Sequence, residues 1–175
     1  GEQIAFCSDA GMPGISDPGC VLVDAAREAG VLVDVLPGPC AVTTALVSSG
    51  FKHNAFYFGG FLPRKEGERI VLLESLANLD AALVFYESPH RVVAAVESIA
   101  HAYGERPVAL CRELTKLHEE VLRGPADQLA EELRARGEVK GEIALVIAPP
   151  SEDEEAGIAP VGAAVADPDE APVSY

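Results

Sequence analysis

Apolar and polar positions follow two rhythms along the chain, and the two take turns. Short β-branched or wholly apolar runs at 4–8, 31–36, 82–87, 107–112 and 142–148 predict strands. The aromatic run 56–58 predicts another, and 118–123, alternating and more polar, a further one. Between them, apolar residues recur at helical spacing over 21–29, 41–49, 66–78, 90–103 and 127–136. The helix at 66–78 gathers Ile70, Leu73, Leu76 and Ala77 on one side. Gly30, Gly50 and Gly104 follow three of these helices, where a residue free to turn left-handed ends a helix without steric cost. Strands alternating with helices of about 10–15 residues predict an α/β protein with a largely parallel sheet.

The stretch 50–65 is the natural dividing line. It leaves 1–52 as the remainder of one α/β domain, 53–149 as a second, and 150–175 as a tail. The first part offers two strands and two helices, too few for an independent sheet. The chain also opens without Met, entering Ile4-Ala5-Phe6-Cys7 at once. The expectation is a truncated first domain.

Composition narrows the class. Of 175 residues, 49% are hydrophobic and 23% charged, a globular balance. The longest wholly apolar run spans six residues, 81–86, against the ~20 a bilayer-crossing helix needs, so no membrane partner is expected. Cys7, Cys20, Cys40 and Cys111 form no Cys-x-x-Cys pair, and no His stands at ligand spacing. They read as reduced thiols of a cytoplasmic protein, with no metal.

Charge changes the picture in one place. The net charge is −15, and seven acidic residues with no basic one lie within 151–175. The rest carries 21 acidic against 13 basic residues, a net of −8. The tail predicts disorder and no part in chemistry. The acidic body argues against broad nucleic-acid binding but leaves room for a local basic patch.

Chemistry gathers at predicted strand ends, where open α/β sheets bind ligands. The loop from Ser8 to Gly19 holds three glycines, which let backbone approach a ligand, and two acceptors, Asp9 and Asp17. It is neither a Walker loop nor a dinucleotide fingerprint. Pro37-Gly38-Pro39-Cys40-Ala41 follows the next strand and offers backbone N–H groups at a helix start. Glu87, His90 and Arg91 follow the 82–87 strand, and Arg112 to Glu120 crowds charges of both signs after the next. Lys140-Gly141-Glu142 enters the last strand.

The segments SDAGMPGISDPG, PGPCAVTTAL, FYFGGFLPRK, VFYESPHR, CRELTKLHEEVLRG and KGEIALVI occur in this order. Together they resemble the ribosomal RNA small subunit methyltransferase I family of the tetrapyrrole methylase superfamily, from residue 1 to about 149. The resemblance implies two α/β domains with S-adenosylmethionine in the cleft between them, and a homodimer. It implies methylation of the ribose 2′-hydroxyl of a cytidine in 16S ribosomal RNA within the small ribosomal subunit. Carried over by position, it assigns the cofactor to Ser8, Asp9, Ala10, Pro13 and Gly14 in the first loop. It adds Cys40 and Ala41 in the second, then Tyr86, Leu114, Thr115, Gly141 and Glu142. Met12 and Cys40 depart from the family's usual Thr and Ser, which weakens side-chain hydrogen bonding there.

Methyl transfer requires in-line alignment and a ribose hydroxyl relieved of its proton. Glu87, Glu113, Lys116, His118 and Glu119 are candidates, with Glu87 and Lys116 favoured as catalytic groups. Arg64, Lys65, Arg91 and Arg112 are candidate RNA-binding cations, with Arg69 beside the first two. Phe61 is either a base-stacking ring or core. Two other readings stand: a methylase of a corrin or porphyrin precursor, and an inactive fragment that only binds cofactor or dimerises.

Overall fold

The computed structural model describes residues 2–8 and 11–151. Asp9, Ala10 and the expected acidic tail beyond Ser151 lie outside the described residues. Helices α1 (Gly19–Glu28) and α2 (Ala41–Ser49) come first. There follow β1 (Phe56–Phe61), α3 (Glu66–Ser75), β2 (Ala82–Glu87), α4 (Val92–Tyr103) and β3 (Pro107–Arg112). The chain continues through β4 (Glu120–Pro125), α5 (Ala126–Arg136) and β5 (Ile143–Ile147). Among the described residues no helix is long and apolar enough to cross a membrane.

The strands form one sheet in the order β1-β2-β5-β3-β4. The expectation of a largely parallel sheet is corrected. Only β1–β2 is parallel, and β2–β5, β3–β5 and β3–β4 are antiparallel. Each helix crossover does join strands of the same direction, β1 to β2, β2 to β3 and β4 to β5. The short turn between β3 and β4 reverses the chain, however, and β5 then inserts between β2 and β3. Alternation of strand and helix predicts direction, not neighbourhood.

The strands expected at 4–8 and 31–36 do not form. An extended apolar run becomes a strand only where a neighbour takes up its N–H and C=O groups, and among the described residues neither run is paired in a ladder. Their side chains stay exposed, Ile4 at 89%, Leu32 at 88% and Leu36 at 82%.

The period of two along each strand divides the core into two faces. Leu83, Phe85, Val108, Leu110, Leu145 and Ile147 point to α3, α4 and α5 and are all buried. Ala82, Val84, Ala109, Cys111, Ala144 and Val146 point the other way, beneath α2. Most of these side chains are short, so α2 packs close to the sheet through Val42, Ala45 and Leu46, and the Cys111 thiol lies 3.7 Å from the carbonyl oxygen of Ala45. Gly50 closes α2 in the left-handed conformation, as its position predicts (φ 64°).

Candidate functional site at the strand ends

Residue pairing across β5 brings the site together. Glu87 at the carboxyl end of β2 and Arg112 at the carboxyl end of β3 both stand opposite Ile143 at the start of β5. The loops leaving β2 and β3 and the loop entering β5 therefore share one edge. Opposite them stand the loop before α1 and the amino end of α2, enclosing a cleft of about 780 Å³.

The two N-terminal loops support each other. The N–H of Met12 donates to the carbonyl of Pro39 at 2.7 Å. Gly11 approaches so closely that a Cβ there would lie 3.1 Å from that oxygen, at φ +81°. Asp17 spends Oδ1 inside the loop, accepting the N–H groups of Gly14 and Gly19, each at 2.7 Å. The expectation that this side chain offers a ligand acceptor is met by a structural use of that oxygen.

The β3–β4 connection is strained. Among the described residues three non-glycines have positive φ: Ser16 (58°), Glu113 (50°) and Thr115 (66°), and all lie at or beside the cleft. Each such conformation costs of order 1–3 kcal/mol and persists only where its surroundings over-determine it. Here they do. Glu113 donates its N–H to the carbonyl of Glu142 at 2.9 Å. Its Oε1 accepts the N–H of Glu142 at 2.8 Å and the ammonium of Lys116 at 2.9 Å. Lys116 also donates to Glu142 Oε2 at 3.0 Å. The N–H of Glu142 and the Lys116 ammonium hold the Glu113 carboxyl below its ordinary range, and the two carboxylates hold Lys116 above its own. Lys116 is thus firmly cationic at neutral pH. Gly141, at φ +96°, has no room for a Cβ, which would meet Glu113 Cγ at 2.5 Å.

At the end of β2, the Tyr86 ring packs edge-on to Phe58 (5.0 Å) and Phe61 (5.7 Å). Burial raises the Tyr86 hydroxyl's pKa, the nearby Cys40 thiol adds to the rise, and the Val42 N–H opposes it. The Glu87 side chain is fully covered. Its Oε1 accepts from the Ser88 N–H and from Arg91, both at 2.6 Å, while buried Oε2 has no partner. Burial raises its pKa against the pull of the Ser88 N–H and Arg91.

The structure brings most of the expected residues together. Ser8, Cys40, Ala41 and Tyr86 line the cleft, as do Leu114, Thr115, Gly141 and Glu142, and so do Glu87 and Lys116. Pro13 and Gly14 stand behind the lining. Arg64, Lys65, Arg91 and Arg112 do not border it. Arg64 and Lys65 are exposed on the loop after β1. Arg91 is held by Glu87, and Arg112 donates to Glu120 at 3.1 Å and to the carbonyl of Lys140 at 3.3 Å. Phe61 is 56% exposed and lines the cleft, so it is not core. Thr44 and Cys111 also line it. Thr44 was findable, one helical turn beyond Cys40 on the same face. Cys111 carried no such signal.

Residues 1–130 match the family Tetrapyrrole (Corrin/Porphyrin) Methylases. The chain is 51% identical over 149 residues to a protein named Ribosomal RNA small subunit methyltransferase I from Mycobacterium bovis, covering 85% of this chain and 52% of that one. It is 46% identical over 146 residues to the protein of that name from a Hydrogenobaculum species, covering 83% and 63%. The chain thus spans about half to two thirds of the length of these curated relatives. Its fold matches uroporphyrin-III C-methyl transferase from Thermus thermophilus, solved with S-adenyl homocysteine, at a TM-score of 0.54 and 17% identity over 79% of this chain and 62% of that one. A family match running from the loops before α1 through β4 makes the chain a member of the tetrapyrrole methylases.

Proposed function

We propose that this protein transfers the methyl group of S-adenosylmethionine to the ribose 2′-hydroxyl of a cytidine in 16S ribosomal RNA, acting in the cytoplasm on the small ribosomal subunit. The observation that carries the reading is the 51% identity, over 85% of the chain, to a relative named for methylating small-subunit ribosomal RNA. Residues 1–52 supply the first cofactor loops and 53–149 the second domain. A homodimer belongs to the same reading, supported by the exposed apolar side chains of Val21, Leu22, Leu32 and Leu36, which a second copy covers.

The cleft fits the methyl donor. Its volume lies within the ~300–1,000 Å³ usual for small-molecule sites. Among the described residues its acidic and basic lining is three carboxylates, Asp17, Glu87 and Glu142, against one ammonium, Lys116, which complements a ligand bearing a sulfonium and an ammonium. When bound, the donor supplies an already activated methyl group on positively charged sulfur. Ser8, Cys40 and Ala41 hold it from one side, with Asp9 and Ala10 extending that loop and Pro13 and Gly14 supporting it. Tyr86, Leu114, Thr115, Gly141 and Glu142 hold it from the other. The strained, over-determined loop keeps its backbone fixed, and fixed alignment supplies much of the rate of an in-line transfer.

Lys116 is the exposed one of the two candidate catalytic groups. Its raised pKa makes it a cation at neutral pH, suited to stabilising negative charge that develops on the hydroxyl oxygen, while the hydroxyl proton passes to water at the open mouth of the cleft as the carbon–oxygen bond forms and the carbon–sulfur bond breaks. Glu87, fully covered and salt-bridged, sets the negative potential of the wall beneath the donor. Arg64 and Lys65 contact phosphates. Arg91 and Arg112, engaged internally, brace the walls.

The test is transfer of labelled methyl from S-adenosylmethionine to 30S particles, followed by digestion to nucleosides. The expected product is labelled 2′-O-methylcytidine, reduced at least tenfold in Lys116→Ala. Label in a corrin or porphyrin precursor, with none in RNA, overturns the reading.

A further inference from the structure

We infer that Phe61 is the surface on which the nucleobase of the target nucleotide stacks when its ribose enters the cleft, an assignment that rests on the RNA-methylating reading above. Phe61 is 56% exposed at the cleft, while its neighbour Leu62 is 2% exposed. What sets this exposed ring apart is its place on the wall of the cleft, where it meets whatever enters.

The chain also commits structure to aiming this ring. Phe58 stands opposite Val84, but Phe61 stands opposite Tyr86, so three steps on β1 answer two on β2. That is a bulge, a device that re-aims a side chain next to a site. Gly59 and Gly60 build it. A Cβ on Gly59 would strike the buried ring of Phe85, and Gly60 lies at φ +68°. Beyond the ring, buried Arg69 donates to the carbonyl of Arg64 at 2.9 Å and to that of Pro63 at 3.4 Å. Arg91 donates to the carbonyl of Leu62 at 3.3 Å. Three successive carbonyls are thus tied to two arginines from other elements, and the loop presenting Phe61 is fixed.

Tyr86 backs the ring edge-on at 5.7 Å, leaving a face for a planar partner. Arg64 and Lys65 follow within four residues and are exposed, Lys65 in a solvent-facing pair with Glu68 at 2.9 Å that a phosphate can displace. A nucleotide drawn into the cleft by its ribose loses contact with its stacked neighbours, and an aromatic ring at the entrance restores that stacking. The same ring offers no hydrogen bond, so it contributes affinity and leaves base identity to other contacts.

The test uses the intact protein with Phe61→Ala, Phe61→Leu and Phe61→Trp. KM for 30S particles is measured beside S-adenosylhomocysteine affinity by calorimetry and the melting temperature. Phe61→Ala and Phe61→Leu are expected to raise KM about tenfold or more, with kcat nearly unchanged, and Phe61→Trp to stay near wild type. Cofactor affinity and melting temperature are expected to hold. An unchanged KM in Phe61→Ala overturns the assignment while leaving the methyltransferase reading intact. So does Phe61→Leu matching Phe61→Trp, since the ring is then mere packing, or an equal loss of cofactor affinity, since the ring then holds the donor. A wild-type protein that leaves 30S particles unmethylated overturns both.

Discussion

Arg91 grips Glu87 at 2.6 Å one helical turn beyond the end of β2, and with the same guanidinium reaches the carbonyl of Leu62 at 3.3 Å. One side chain therefore joins a buried carboxylate in the cleft wall to the loop carrying Phe61. Arg91→Ala strands the Glu87 charge in a covered site and is expected to destabilise the fold by about 3 kcal/mol. Adding Glu87→Gln removes the stranded charge and recovers a large part of the loss. Urea denaturation of both single variants and the double variant checks this. Additive effects would contradict the coupling.

Glu87 should also mark the pH dependence of stability. Its folded pKa is raised, chiefly by burial, above the ordinary 4.5. Below that value the folded and unfolded chains both hold the proton, and the group's contribution is fully present. As pH rises, the unfolded chain releases the proton first, and stability is lost until the pH passes the raised folded value. The wild-type protein is thus expected to fall relative to Glu87→Gln as pH climbs from about 4.5, then run parallel to it. Glu113 and Glu120, both shifted down, slope the opposite way, so the comparison with Glu87→Gln isolates the effect.

Gly141→Ala and Gly137→Ala form a matched pair. Both residues have positive φ, +96° and +77°, but a Cβ meets Glu113 only at Gly141 and finds nothing within 4 Å at Gly137. Gly137→Ala is expected to cost only the backbone strain, about 1–3 kcal/mol, because φ 77° with ψ −98° lies outside the left-handed helical region. Gly141→Ala should cost ~1–3 kcal/mol more, because Glu113 must release Glu142 and Lys116. Thermal melts separate the two. Equal losses would show that the Glu113 clamp carries no stability.

The thiols should react in order of cover. Cys7 and Cys20 are exposed, whereas Cys111 lies beneath α2 with its thiol pushed by burial up to about 11. A colourimetric thiol reagent at pH 8 is expected to modify Cys7 and Cys20 within minutes and Cys111 only on unfolding. Early loss of the Cys111 thiol, read by mass spectrometry, would mean that α2 lifts from the sheet.

Much of this molecule is legible in the residue pattern, and the failures share a cause. The run 82–87 predicts β2 because the buried residues 82–85 need no partner to look apolar, and Gly50 and Gly104 mark helix ends through their own geometry. The runs at 4–8 and 31–36 carry the same local preference, yet pairing is a property of two segments, and among the described residues neither run has a strand partner. The insertion of β5 between β2 and β3 is likewise invisible to any periodicity. At the site, the loops were legible as strand ends, but Arg91 and Arg112 look like phosphate ligands until their carboxylates are seen. Phe61 stayed ambiguous because an aromatic after two glycines has no rhythm of its own. Only the bulge decides which way it points.

The place of β5 sets a timetable. Of the described strands it is the last in chain order, and it joins β1–β2 to β3–β4, which share no pairing without it. At ~5–20 residues per second, about 1–4 s pass between completion of Pro125 and of Ile147 on the ribosome. Through that interval the nascent chain carries two half-sheets with the apolar edges of β2 and β3 open, a state that invites mispairing with other chains. Closure of the sheet and assembly of the cleft then occur in one late step, so a partly made chain holds no binding site.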